Sequence, residues 1–409
     1  MKALVLCGGL PQIAMMKELK NRGVTVVLAD MNEKVAGRAY CDIFYPVSTL
    51  DVEGIKNVAI TEKVDFLIAV CADQVLQVVA EVSEALGLPC YIDFETAVNV
   101  SKKSYMKKIF VENGVPTSKH VILAQLEPEK IRHLRYPLIV KPVDAYSSRG
   151  VQRVDSYEEL IPAFAEAVKI SRTDTAVVEE FVTGDELTVD VYVEEGKAHV
   201  LCISNLYKIG EDGRFVIYRA MYPAAITKQI EEQIADAAQK IATAFGLVNS
   251  PILIQLICDG ERISVIEFCA RTGGVVKFML IKRVTGFDVV KAVADLTMGK
   301  KPHVEPVTKP RPYMISEFLY CKAGVLDHIE GAQELYDAGV LSEYSQLKNP
   351  GVEFTEIRSS GDRVACFMIQ ADDMETLRKN HKLACEKIKV ISTTGEDILR
   401  HDLLENFHN

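Results

Sequence analysis

The sequence predicts a mixed α/β and α+β protein: a doubly wound parallel sheet over residues 1–95, then a larger body built mainly of antiparallel strands. Three observations carry this. Up to about residue 95, short apolar runs alternate with stretches of helical length, the pattern of a parallel sheet. Residues 185–205 and 214–225 alternate singly between apolar and polar, as half-solvated antiparallel strands do. A proline cluster, Pro302, Pro306, Pro310 and Pro312, marks a boundary before a last α+β segment.

The elements follow in order. Ala3–Cys7 is a buried first strand, Gly8-Gly9 a tight turn, and Ile13, Met16 and Leu19 the apolar stripe of a helix stopped at Asn21-Arg22-Gly23. Val24–Ala29 and Val64–Val70 are further strands, Asp73–Leu86 a helix and Pro89–Ile92 a short strand. Asp30 follows the glycines at the distance a dinucleotide fold requires, but Gly8-Gly9-Leu10-Pro11-Gln12 lacks the third glycine of that fingerprint. A single helix, Ala97 to Asn113, connects to the next unit and ends at Gly114 and Pro116. Strands at Leu138–Pro142, Val151–Val154 and Ala176–Glu179 with a helix at Tyr157–Lys169 form a small α+β unit. An amphipathic helix, Lys228–Phe245, and a hairpin, 251–269, complete the central part. The expected units are 1–95, a connecting helix 96–116, 117–184, 185–305 and 306–409.

With 409 residues the chain can bury an ample core, and 48% hydrophobic with 25% charged residues is an ordinary globular composition. A net charge of −10 argues against general nucleic-acid binding, which rests on Lys and Arg. The ten cysteines are scattered without a metal-finger spacing, fitting reduced thiols in a cytoplasmic protein. The apolar start is too short for a signal peptide, and no run of about 18 apolar residues would span a membrane.

The chemistry concentrates in a few segments. In Glu267-Phe268-Cys269-Ala270-Arg271, alternate residues share a strand face, placing a carboxylate, a thiol and a guanidinium together; a carboxylate for a metal and an arginine for phosphate suit a polyphosphate–magnesium site. Gln255 sits in the preceding strand. Lys141 ends an apolar run, and Ser147, Ser148, Arg149 and Gly150 follow in a loop able to offer hydroxyls and backbone N–H groups to phosphate. Glu179, Phe181 and Val182 could meet a purine edge, and Glu186 the hydroxyls of a ribose. Each stretch alone is also the pattern of a solvated turn or edge strand. One geometric condition is strict: a two-residue turn at Asp259-Gly260 would put Gln255 and Glu267 on opposite faces, so a shared metal requires an irregularity between residues 256 and 266.

Taken together and in order, these segments resemble the ATP-grasp superfamily, and within it the carboxylate–amine ligases and carbamoyl-phosphate-synthetase-like members. The resemblance runs from residue 1 to about 300 and more loosely beyond. It implies an ATP-grasp fold behind a pre-ATP-grasp domain, with ATP and Mg²⁺ (or Mn²⁺) as cofactors. It assigns Lys103 and Lys141 to the phosphates, with Lys107 less securely placed, and Ser147 to Gly150 to the loop that closes over them. Glu179 and Val182 fall at the adenine, Glu186 at the ribose, Gln255, Glu267 and Cys269 at metal-ligand positions, and Arg271 at the transferred phosphate. Cys269 stands where the family carries Asn, and a protonated thiol is a poor ligand for hard Mg²⁺.

The activity so implied is activation of a carboxylate as an acyl-phosphate for attack by an amine, with small-molecule partners and, as an open question, a homodimer. Substrate candidates are Arg219, Gly273, Gly274, Arg358 and Arg363, together with Tyr207, Lys208, Arg214 and Tyr218. Another acceptor, of carbamoyl-phosphate or purine-pathway type, and a nucleotide-binding module with degraded catalysis remain as alternatives.

Overall fold

Four parallel strands open the molecule, in the order β3-β2-β1-β4: β1 (Lys2–Leu6), β2 (Thr25–Ala29), β3 (Ile43–Tyr45) and β4 (Phe66–Ile68). The computed structural model describes residues 1–144, 150–209, 215–305, 307, 312–405 and 407. Alternate strand residues enter two cores, as a doubly wound sheet requires. Ala3 and Val5 join Ile13, Met16 and Leu19 of α1 (Leu10–Asn21). Leu4 and Leu6 join Ile55 of α2 (Val52–Glu62) and Val79 of α3 (Asp73–Leu86).

Two sequence expectations fail at the next step. Pro89–Ile92 forms no strand; the sheet ends at β4, and Ile92 packs into the core of the larger body instead. The single helix Ala97–Asn113 is two, α4 (Phe94–Asn99) and α5 (Lys103–Glu112). The Ser101 hydroxyl donates back to the Ala97 carbonyl at 2.8 Å, and Lys102 is extended (φ −95°, ψ 100°) as the cap of α5. The break makes Lys103 the first residue of a new helix, with its side chain buried.

A four-stranded antiparallel sheet, β5-β8-β6-β7, forms a lid: β5 (His120–Leu123), β6 (Leu138–Pro142), β7 (Gln152–Val154) and β8 (Ala176–Glu180). A short α6 (Pro128–Ile131) precedes β6, and α7 (Tyr157–Ile170) packs Leu160, Phe164 and Ala167 on Leu138, Val140 and Val178. Gly150 has φ +73°, and a Cβ there would lie 2.7 Å from Ile170 Cδ1, so the end of the loop after β6 needs glycine. Ser147 and Ser148 lie outside the described residues, as do Arg149 and Arg214.

The central sheet has eight antiparallel strands in the order β13-β12-β9-β10-β11-β14-β18-β16. Its first part is β9 (Asp185–Glu194), β10 (Lys197–Ile209), β11 (Val216–Tyr222), β12 (Ser250–Cys258) and β13 (Ile263–Cys269). One face carries Leu187, Val189, Val191, Ile252, Ile254 and Leu256 against Ile234, Ala238 and Ile241 of α8 (Lys228–Ala244). By alternation, Glu186, Thr188 and Gln255 belong to the other face. Farther along, that other face is covered by α9 (Lys277–Thr285) and α10 (Val289–Thr297), and Arg22 of α1 reaches Asp295 of α10 at 2.7 Å.

The C-terminal segment completes this sheet with β14 (Tyr313–Leu319), β16 (Glu343–Gln346) and β18 (Ala365–Ala371). Around them lie β15 (Gly324–Glu330), α11 (Ala332–Asp337), β17 (Glu353–Phe354), α12 (Met374–Lys387), β19 (Lys389–Ser392) and α13 (His401–Glu405). Among the described residues no cysteine forms a disulfide, and no helix is long and apolar enough to cross a membrane.

Candidate active site

The geometry of the site begins at the β12–β13 hairpin. Its loop, Asp259 to Arg262, is four residues long, and Cys258 pairs with Ile263, Ile257 with Ser264, and Leu256 with Val265. That register would carry Gln255 opposite Ile266. Instead the register slips by one residue, and Gln255 stands opposite Glu267. Ile266 is the extra residue of a β-bulge, the irregularity that a shared site requires. At the same, loop end of β12, Gly184 in the connector from the lid has φ +146°, and a Cβ there would meet the Cys258 carbonyl oxygen at 2.2 Å. Only glycine passes there.

A cleft lies between lid and central sheet. Its apolar lining is Ile139, Pro142 and Val151 from the lid with Ile257 and Ile266 from the central sheet, and Phe181 and Val182 along the connecting chain. Charged groups are interleaved with these, Ile139 pairing with Glu179 and Ile257 with Glu186, and each ammonium group meets a carboxylate. Lys103 is 3.2 Å from Glu267, Lys208 is 2.6 Å from Glu186, and Lys141 is 2.5 Å from Glu179. The Gln255 amide donates to Glu186 at 3.4 Å, leaving its oxygen as the atom suited to a hard cation.

Glu179 departs from the role expected of it. Its two oxygens accept from Lys141 and from Lys107 at 2.8 Å, and the Ser118 hydroxyl donates to it at 2.7 Å. Burial alone would raise this carboxyl; the two ammonium groups outweigh burial and hold it far below the ordinary carboxylate range. Such a carboxylate anchors lysines rather than reading a purine amine.

Several expected site residues lie elsewhere. Arg219 is 1% exposed; its guanidinium pairs with Glu317 at 2.5 Å and donates to the Leu403 and Leu404 carbonyls. Arg363 is buried on the Phe318 ring and donates to the Tyr320 hydroxyl and the Ile217 carbonyl. Arg358 is exposed beside Glu356. None of the three lines the cleft. Cys269 and Arg271 continue the strand beyond Glu267 but also fall outside the lining; Cys269 stands opposite Leu253, and Arg271 donates to the Thr272 carbonyl. Gly273 lies under Lys277, whose Cγ would be 2.6 Å from a Cβ, while Gly274 faces open space. Ser118 and Phe215 line the cleft without having been anticipated, and Lys208 lines it as a partner of Glu186. The signal for Lys208 was its strand register, since Leu206 pairs with Glu186.

A magnesium ion with a polyphosphate fits these residues. Among the described residues no group of three or more His, Cys, Asp or Glu could hold a metal by itself. Mg²⁺ commonly takes one or two protein oxygens and completes its shell with phosphate and water, and Glu267 with Gln255 supplies that number.

Comparison with known proteins agrees with the fold. Residues 134–278 match the ATP-grasp domain, so the chain contains that domain. Residues 317–392 match L-amino acid ligase C-terminal domain 2. The carbamoyl phosphate synthase large chain of Clostridium acetobutylicum is 25% identical over 215 residues, which are 51% of this chain but 19% of that one. The crystal structure of an L-amino acid ligase from Bacillus licheniformis superposes with a TM-score of 0.80 at 20% identity, over 96% of this chain and 98% of that one. The biotin carboxylase domain of the Hydrogenobacter thermophilus 2-oxoglutarate carboxylase, solved with MgADP and bicarbonate, superposes with a TM-score of 0.81 at 17% identity, over 99% and 93%.

Proposed function

We propose that this protein is an ATP-dependent, ADP-forming ligase that joins a carboxylate to an amine, with amino acids as the substrate class. The observation that carries the reading is the cleft itself, where an apolar slot is lined alongside three lysines set against three carboxylates. The match to L-amino acid ligase C-terminal domain 2 supports amino acids as substrates.

In this reading the apolar slot takes adenine and the Glu180–Val182 backbone its edge. Glu186 takes the ribose, Lys103 and Lys141 the phosphates, and Glu267 with Gln255 a magnesium ion. Magnesium, when bound, neutralises charge on the phosphate oxygens. A substrate carboxylate oxygen attacks the γ-phosphorus, the bond to the β-phosphate oxygen breaks, and ADP leaves. The amine nitrogen then bonds the acyl carbon, the acyl C–O bond to phosphate breaks, and the nitrogen's proton passes to the departing phosphate or solvent. The lid strands and the lysines keep water from the acyl-phosphate and orient the reacting oxygens. The site is built without an enzyme nucleophile.

The test is ADP and phosphate release with ATP and Mg²⁺ against paired amino acids and other carboxylates. Release that needs both an acid and an amine is the expected result. Release with bicarbonate alone would favour a carbamoyl-phosphate-type reaction, for which Gln255 in place of a carboxylate speaks. ADP binding without turnover for any pair would leave a binding module.

A further inference from the structure

Lys107 lies behind the cleft wall, not in it: it is 1% exposed and does not line the cleft. Its ammonium has three acceptors, Glu179 at 2.8 Å, Thr117 at 2.7 Å and Ser118 at 3.4 Å, which match its three protons. These partners belong to different bodies. Glu179 is on lid strand β8, while Thr117 and Ser118 form the segment by which α5 enters the lid. The Thr117 hydroxyl donates onward to the Val265 carbonyl at 2.8 Å, and the Val265 N–H donates to the Pro116 carbonyl at 2.7 Å. Val265 is the last regularly paired residue before bulge residue Ile266 and Glu267. One buried ammonium therefore joins lid strand β8, the lid entry and, through Thr117, the strand that carries Glu267. A buried charge of this kind is costly unless every partner is in place, so the arrangement is close to all-or-none.

We propose that Lys107 is a positioning residue that locks lid strand β8 to the bulge of β13, and so fixes the Lys141–Glu179 side of the cleft against the Glu267 side. The consequence for ligand binding rests on the nucleotide reading above; the lock itself does not. Burial pushes the Lys107 ammonium down, and Lys141 pushes the same way; Glu179 and Glu267 oppose them, leaving it at about 8. His120 is the other titratable group whose balance includes Lys107. A positive Lys107 favours an anionic ligand, so affinity for ADP falls as the pH rises through about 8.

The test uses the full chain and Lys107→Met, with Thr117→Val as a milder variant that leaves the Lys107–Glu179 pair in place. Backbone hydrogen exchange needs no nucleotide. In Lys107→Met, residues 176–180 and 263–267 lose protection together while 365–371 does not. In Thr117→Val only 263–267 does. Unchanged exchange, or a uniform loss that includes 365–371, overturns the proposal. Mg-ADP binding is then followed from pH 6.5 to 9.5. Wild-type affinity falls about fivefold or more on passing pH 8, and Lys107→Met is weaker and flat. Equal slopes in both proteins overturn the link to the ligand. If wild type binds no ADP at all, the nucleotide reading fails, and the exchange result alone decides the lock.

Discussion

Gln255 and Glu267 face each other across two antiparallel strands because one of those strands carries an extra residue, Ile266. With regular pairing the glutamate would point into the core beside α8, and the cleft would hold no carboxylate at that position. A single inserted residue thus determines whether Glu267, and with it the partner of Lys103, reaches the site.

Glu267→Gln lowers turnover by about a hundredfold or more, the order expected when a group that manages transition-state charge is lost. Its effect on stability stays within about 1 kcal/mol, because the pair with Lys103 is partly solvated. Steady-state ADP release and thermal unfolding measure the two. Full activity in this variant would remove Glu267 from the site.

Glu179→Gln strips two buried ammonium groups of their counter-ion and destabilises the protein by about 3–5 kcal/mol. The wild-type carboxyl is held below its unfolded value, so its contribution is complete above the ordinary carboxylate range and is lost as the pH falls below it. Urea unfolding across acid pH should show a steeper acid limb in wild type than in the variant.

Arg219→Met also costs about 3–5 kcal/mol, by leaving Glu317 buried without its guanidinium. The double change Arg219→Met with Glu317→Leu recovers much of that loss. KM for the acid and the amine stays at the wild-type value in the folded protein. A raised KM with unchanged stability would return Arg219 to substrate binding.

Cys269→Asn holds or raises turnover, since an amide oxygen suits a hard cation better than a thiol and Cys269 lies two strand pairs beyond Glu267, on the same face. A large loss would give the thiol a role of its own, readable as a change in which acid–amine pair is accepted.

Local pattern and long-range partnership divide what the sequence revealed from what it concealed. The helix Asp73–Leu86 and the strand Leu138–Pro142 have the expected bounds, because apolar spacing is a local property. The bulge followed from requiring Gln255 and Glu267 on one face. The split of Ala97–Asn113 was missed because a serine bonding back to the turn before it reads as an ordinary helix residue. Arg219 looked like a ligand for an anion. Its partner is Glu317, 98 residues away, and no periodicity reports such a pairing. Glu179 was correctly sensed as part of the cleft, yet its two lysines come from α5 and β6, and their convergence exists only in three dimensions.

The paired charges make the cleft behave like an ion exchanger already loaded with its own counter-ions. A bare triphosphate would draw the lysines away and strand Glu186 and Glu267 without cations. A lone metal ion would face the opposite shortage. A ligand that delivers phosphate, metal and ribose hydroxyls together lets every group trade one partner for another. Selection for the metal–nucleotide complex over either component then follows from electroneutrality, before any contact with the base is made.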